Sequence, residues 1–182
     1  MKWELLNSKY LFTDDWLTLR SDSCKRPDGT IIEPYYVYEF PDWVTAVALT
    51  KERQLILIQQ YRHALGSVCI EIPGGCIDPS DTTPEAACAR ELLEETGYRF
   101  NHFELLSTTS ANPSTNNNLM HIFLATGGEK IQEQQLDLAE EITVSLYSIE
   151  EVKQLLRDQK IVQSMHVTAL FYGLEKLGVL VY

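Results

Sequence analysis

Arg90, Glu91, Glu94 and Glu95 stand in one short stretch, Arg90-Glu-Leu-Leu-Glu-Glu95. In a helix of about 3.6 residues per turn, spacings of three and four bring the three glutamates onto an arc of roughly 100°. Like charges on neighbouring turns destabilise a helix by roughly a few tenths of a kcal/mol per pair unless something neutralises them. A patch of carboxylate oxygens is the donor set of a hard divalent cation such as Mg²⁺ or Mn²⁺. Such an ion takes a few carboxylates, keeps several waters and is completed by substrate phosphates. The competing reading is an ordinary solvated face. Ala86, Ala89 and Leu93 fall on the side away from the acids, which is the side expected to be buried.

The flanking residues say how such a helix is held. Glu71-Ile-Pro-Gly-Gly-Cys-Ile-Asp78 reads as a strand end, a glycine turn and a loop. Thr83 stands where a helix cap belongs, with Pro84 at the first helical position, and Gly97 stands where a left-handed residue ends the helix. Arg90, four residues before Glu94, is spaced to brace the acids by an ion pair one turn away.

Before this stretch, Leu17 to Cys24 and Ile31 to Phe40 alternate as two strands joined by Arg26-Pro-Asp-Gly-Thr30, a turn in which proline presets φ and glycine accepts positive φ. They predict a small antiparallel sheet over residues 1–41, separated by Pro41-Asp42 from a main domain over residues 42–182. Val44 to Leu49 and Leu55 to Gln60 are aliphatic enough to be central strands, and Val68 to Ile72, Phe100 to Leu106, Met120 to Ala125 and Ile142 to Tyr147 read as further ones. Ser110 to Asn118 is a polar loop long enough to reach a substrate, and Ile131 to Glu141 reads as a mobile acidic loop. Ser148 caps a helix running to about Arg157, and Val162 to Leu177 forms a last amphipathic one. Strands around one central helix, with helices at the end, favour an α/β (α+β) fold built as an α/β/α sandwich.

The chain has 182 residues and carries 15 Lys+Arg against 26 Asp+Glu, a net charge of -11, with no basic block. Nucleic acid is therefore not an expected partner, because duplex binding rests on phosphate neutralisation. Cys24, Cys69, Cys76 and Cys88 form no C-x-x-C pair and have no zinc-like histidine spacing, and His63, His102, His121 and His166 are scattered and read as structural. No apolar run approaches the roughly 20 residues of a membrane span, and Met-Lys-Trp-Glu-Leu-Leu carries no signal-peptide core. A cytoplasmic protein without membrane contact is the expectation.

From Gly75 to Tyr98 the residues resemble the Nudix box, the signature of the Nudix hydrolases, G-x5-E-x7-R-E-U-x-E-E-x-G-U with U an aliphatic or similar residue. Arg90-Glu-Leu-Leu-Glu-Glu-Thr-Gly-Tyr98 matches every fixed position of its second half. The first half departs. The distance from Gly75 to Arg90 is one residue longer than in the motif, and where a glutamate is usual stands Asp81, counted from Gly75, or Thr82, counted back from Arg90. The resemblance implies a Nudix-type sandwich with a mixed sheet. It implies a Mg²⁺ (or Mn²⁺) site made by Glu91, Glu94, Glu95 and the carbonyl of Gly75, with Arg90 bracing it, and hydrolysis of a nucleoside diphosphate linked to another moiety. It also implies that Asp81 leaves activity intact.

Beyond the box, Arg26-Pro-Asp-Gly29, Gln59-Gln-Tyr-Arg-His63, Glu71-Ile-Pro-Gly-Gly75 and Pro113, sixteen residues past Gly97, resemble the ADP-ribose pyrophosphatase-like branch. What that implies is a pyrophosphatase for a nucleotide sugar, ADP-ribose first, acting as a homodimer through the N-terminal sheet. Arg62 would contact substrate phosphates, a surface salt bridge being the alternative. Glu141, or its neighbour Glu140, would serve as catalytic base, against a plain solvated loop. Pro113 and Asn117 would belong to the substrate loop, although Asn116-Asn-Asn118 replaces an acid often found there. Tyr35, Tyr36, Phe40 and Trp43 could stack on adenine, with sheet or interface packing as the alternative. Hydrolysis of another nucleotide, or a Nudix fold that binds a nucleotide sugar without cleaving it, are the rival functions.

Overall fold

Alternation along the strands decides which side chains each layer receives. The computed structural model describes residues 1–138 and 140–180, and the chain divides into two compact units. One comprises Met1–Pro41 with Ser110–Leu119, and the other comprises Asp42–Thr109 with the residues from Met120 onward.

The first unit carries a three-stranded antiparallel sheet in the order β1 (Glu4–Thr13), β2 (Thr18–Lys25), β3 (Ile31–Glu39). Two of these strands are legible by alternation. β1 is not, because Leu5-Leu6 and Tyr10-Leu11-Phe12 run together rather than alternate. Its hairpin to β2 is closed by Asp14, whose Oδ1 accepts from the backbone N–H of Trp16 (2.8 Å) and Leu17 (2.7 Å), an Asx turn. The Ser110–Leu119 loop is tied to this sheet. It is pinned along β3: Tyr38 N–H donates to Thr115 O (2.8 Å), Tyr35 Oη donates to Ser114 O (2.7 Å), and Phe40 N–H donates to the side-chain oxygen of Asn117 (3.1 Å).

The second unit contains β4 (Trp43–Thr50), β5 (Leu55–Arg62), β6 (Ser67–Glu71), β7 (Gly74–Cys76), α1 (Pro84–Thr96), β8 (Tyr98–Arg99), β9 (His102–Thr109), β10 (Met120–Lys130), β11 (Ile142–Tyr147), α2 (Ile149–Arg157) and α3 (Ser164–Lys176). Its mixed sheet runs β11-β5-β4-β10-β8, with β6 on β5, β7 on β4 and β9 on β10; β4 and β10 are parallel. Val44, Ala46, Ala48, Ile56 and Phe123 point to one face and meet Ala87, Cys88 and Leu92 of α1. Val47, Leu49, Leu55, Leu57, Ile122 and Leu124 point to the other and meet Val152 of α2 and Ala169, Leu170 and Leu174 of α3. Helices thus cover both faces, the α/β/α sandwich that the order of elements predicts, with the small antiparallel sheet beside it in the sequence.

The central helix begins and ends where its capping residues stand. Thr83 Oγ1 accepts from Ala86 N–H (3.1 Å), Pro84 follows, and Gly97 closes the helix at φ 76°. Replacing Thr83 by Ala should cost about 1 kcal/mol of stability, read by denaturant titration. The buried side, however, is the reverse of the expected one. Ala87, Cys88, Leu92, Glu95 and Thr96 are buried, while Ala86, Ala89 and Leu93 lie in a partly exposed flank. Alanines all round the helix leave no apolar stripe to read, and tertiary partners place an acid inside. Residues 131–135, expected to be mobile, are laced onto the C-terminal end of α1. Ile131 N–H donates to Gly97 O (2.9 Å), Gln135 N–H to Glu94 O (2.8 Å), and Gln134 Nε2 to both Glu95 O (2.6 Å) and Ile142 O (3.1 Å). These bonds satisfy carbonyls that a helix end otherwise leaves to water.

Candidate active site

Arg90 is the hub of the acidic edge. An arginine has five N–H donors in a rigid fork, and all five are matched. Nη1 donates to Glu91 Oε1 (3.0 Å) and Glu94 Oε2 (2.9 Å), Nη2 to Cys76 O (3.0 Å) and Asp81 Oδ2 (2.9 Å), and Nε to Asp81 Oδ1 (3.2 Å). The expected (i, i+4) pair with Glu94 is present. The surrounding carboxylates, Asp81 foremost, push the guanidinium further above its already high range.

The three glutamates differ in setting. Glu94 is the most exposed and rests on Arg90. Glu91 is partly buried, and loss of water pushes its carboxyl up to about 7 despite the opposing pull of Arg90. Glu95 is 4% exposed and accepts from Gly74 N–H at 2.8 Å; burial pushes it up to about 8, with the charges of Glu91 and Glu140 adding to the effect. Two carboxyls held above the ordinary carboxylate range mark a place where negative charge is costly until a cation arrives.

Gly75 sits against this edge. A Cβ added there would lie 2.5 Å from Glu91 Oε1, so only glycine lets the β7 backbone approach the carboxylate so closely. The donor set of Glu91, Glu94, Glu95 and the Gly75 carbonyl is all oxygen, which suits Mg²⁺ or Mn²⁺ and not a soft metal. Among the described residues no three acid, histidine or cysteine side chains are gathered into a ready cage. The expected convergence is incomplete because each acid turns to its nearest donor, Glu94 to Arg90 and Glu95 to Gly74.

The sheet supplies a second charged pair, of which sequence reasoning saw only one half. Arg62, at the end of β5, forks onto Glu71 of β6 with Nε–Oε1 3.0 Å and Nη2–Oε2 2.6 Å. Glu71 is 1% exposed whereas the Arg62 side chain is 45% exposed, so a buried acid holds an arginine that still reaches solvent, and the charge of Glu95 is felt at Arg62. Of the two candidate bases, Glu140 is the one whose charge reaches Glu91 and Glu95. Its side chain closes its own turn by accepting from Asp137 N–H (3.0 Å). Glu141, the first choice from sequence, is exposed, whereas Glu140 is partly buried. Pro113 and Asn117 belong to the other unit, where the side-chain oxygen of Asn117 is engaged by Phe40. Glu71 and Gln134 carried no local signal; their partners are distant in sequence.

A capped helix bearing paired acids and an arginine hub, facing a glycine strand on a mixed sheet between helices, is the architecture of a Nudix hydrolase. Residues 40–166 match the NUDIX domain family, and the chain belongs to it. Residues 3–38 match the nucleoside diphosphate sugar hydrolase N-terminal domain. A methanol dehydrogenase activator of Bacillus methanolicus is 27% identical over 92% of this chain and 90% of its own. An ADP-ribose pyrophosphatase of Mycobacterium tuberculosis is likewise 27% identical, over 92% of this chain and 81% of its own. A solved structure described as an ADP compounds hydrolase superposes with a TM-score of 0.85 at 25% identity, covering 99% of this chain and 98% of the other.

Proposed function

We propose that this Nudix hydrolase cleaves the pyrophosphate bond of a nucleoside diphosphate sugar in a cation-dependent reaction, with ADP-ribose giving AMP and ribose 5-phosphate as the leading case. The observation that carries the reading is the Arg90 hub, which holds Glu91 and Glu94 together beside Gly75 and the buried Glu95. The relatives named for ADP-ribose and ADP compounds support the choice of substrate.

Glu91, Glu94, Glu95 and the Gly75 carbonyl are the residues that would hold Mg²⁺ or Mn²⁺. When bound, such an ion supplies Lewis acidity toward phosphate oxygens and a lowered pKa for water. The remaining work falls to the chain. Arg90 fixes the orientation of Glu91 and Glu94. Glu140, in preference to Glu141, takes a proton from water as its oxygen bonds to phosphorus and the bridging P–O bond breaks. Arg62 keeps Nε and Nη2 on Glu71, while Nη1 has no acceptor among the described residues and is available to a substrate phosphate. Purified protein tested with Mg²⁺ against ADP-ribose, other nucleotide sugars, dinucleotides and nucleoside triphosphates should turn over nucleotide sugars best. A preference for triphosphates or dinucleotides would reassign the substrate, and binding of a nucleotide sugar without turnover would make the chain a sensor.

The N-terminal sheet supports a homodimer. β1 is exposed along its whole length and carries Leu5, Leu6, Tyr10, Leu11 and Phe12, each more than two-fifths exposed, apolar side chains that a partner surface would cover. Sedimentation equilibrium should give twice the chain mass, and Leu11→Lys with Phe12→Lys should return it to one. Retention of a dimer by that variant would place the interface elsewhere. Unpaired cysteines at 24, 69, 76 and 88 accord with a reducing cytoplasmic setting. Among the described residues no helix is long and apolar enough to cross a membrane.

A further inference from the structure

We propose that Gln134 is a positioning residue for Glu140, holding the loop that carries this acid against the end of α1; the inference rests on the reading of Glu140 as the group that takes the proton from water. β10 ends at Lys130 and β11 begins at Ile142, and β4 and β5 lie between them in the sheet. The connection must therefore cross two strands. Its first half is tied to α1 by backbone bonds: Ile131 N–H and Gln132 N–H share Gly97 O (2.9 and 3.3 Å), and Gln135 N–H donates to Glu94 O (2.8 Å). Gly97 permits the approach, since a Cβ there would run into Gln132 O. The second half closes on itself instead, with Glu140 N–H donating to Asp137 O (2.9 Å) and Asp137 N–H to Glu140 Oε2 (3.0 Å). Such a turn keeps its shape but takes its place from what holds its ends.

Gln134 holds both ends at once. Its Nε2 donates to Glu95 O (2.6 Å) in the last turn of α1 and to Ile142 O (3.1 Å) at the start of β11, two positions past Glu140. An amide nitrogen carries two N–H groups, so one side chain can serve two carbonyls. Ile142 is itself fixed, being buried and paired with Gln60 of β5. The bridge thus sets the separation between α1 and the strand end from which Glu140 hangs, and the charge of Glu140 is felt at Glu91 and Glu95. Without the bridge the turn samples other positions, and turnover falls with the fraction of molecules in which Glu140 is in place. Arg62 keeps its fork on Glu71, and Arg90 keeps Glu91 and Glu94, without help from Gln134. Binding of substrate and cation is therefore spared.

The test compares Gln134→Met, which fills the space without a donor, and Gln134→Asn, which is too short to span both carbonyls, with Thr83→Ala, which weakens α1 at its other end. With ADP-ribose and Mg²⁺, both Gln134 variants should lose about tenfold or more in kcat, the scale of two lost hydrogen bonds, while KM and calorimetric Mg²⁺ affinity stay unchanged. Hydrogen exchange at the Glu140 amide should quicken in both. Thr83→Ala should lower the melting temperature and leave kcat unchanged below it. The double variant Gln134→Met with Glu140→Gln should turn over no more slowly than Glu140→Gln alone, since one residue acts through the other. Wild-type kcat in Gln134→Met, or losses that multiply in the double variant, would overturn the proposal. Full turnover by Glu140→Gln would instead defeat the reading of Glu140 as proton acceptor, and the positioning role would fall with it.

Discussion

Glu94→Gln should lower turnover of the best nucleotide sugar by about 10²-fold or more, with little change in the folding stability of the cation-free protein. The substitution preserves shape and removes one anionic oxygen donor, and divalent-ion stabilisation of transition-state charge amounts to about several kcal/mol. Glu94 is the most exposed of the three glutamates and its contact with Arg90 is partly solvated, so folding loses little. Calorimetry should show cation affinity falling in parallel with turnover. The buried carboxyls also set a pH dependence. Glu91 and Glu95, held up at about 7 and about 8, keep protons in the folded state that the unfolded chain releases near 4.5. The folded state therefore binds more protons between those values, and the stability of the cation-free protein falls as pH rises from about 5 to about 8. Saturating Mg²⁺ should flatten or reverse that slope in denaturant titrations. Equal turnover and cation affinity in wild type and Glu94→Gln would mean that the acids form a solvated face.

Arg62→Ala should destabilise the fold by about 3 kcal/mol, because it strands the Glu71 carboxylate in the interior. The cost lies at the low end for a broken buried pair because the arginine side chain is itself 45% exposed. Adding Glu71→Gln should restore more than half of the loss by removing the orphan charge. Arg62→Lys should not rescue, since an ammonium cannot reproduce the two-pronged fork. Kinetics on the double variant separate the two roles assigned to Arg62. If Nη1 meets a substrate phosphate, KM stays about tenfold high after stability returns, the scale of one charge-assisted hydrogen bond. If KM recovers with stability, Arg62 is a brace for Glu71 alone.

What the sequence made legible, and what it hid, divide along the range of the interactions. The bounds of α1 follow from Thr83, Pro84 and Gly97, all acting within a turn of the helix end, and β4, β5 and β10 follow from aliphatic runs suited to a strand covered on both faces. The arginine-glutamate pair at (i, i+4) is equally local. By contrast, nothing near Glu95 announces that Gly74, twenty-one residues earlier, will take its carboxylate inside. Nor does the sequence around Glu71 show that Arg62 across the hairpin will neutralise it, or that Gln134 will close the end of α1. Likewise, the polarity of the Ser110–Leu119 loop does not show that its backbone and Asn117 bond to β3 and Phe40. Asp81 was visible as a departure from a motif, and only its fork with Arg90 gives that departure a physical role.

The most direct test of the account is cleavage of ADP-ribose in ¹⁸O-labelled water, with Mg²⁺ and with the ion removed by chelation. The predicted result is AMP and ribose 5-phosphate with a single heavy oxygen on one phosphate, formed only when the cation is present. Undiminished cleavage under chelation, or no cleavage of ADP-ribose or any nucleotide sugar with Mg²⁺ supplied, would contradict it.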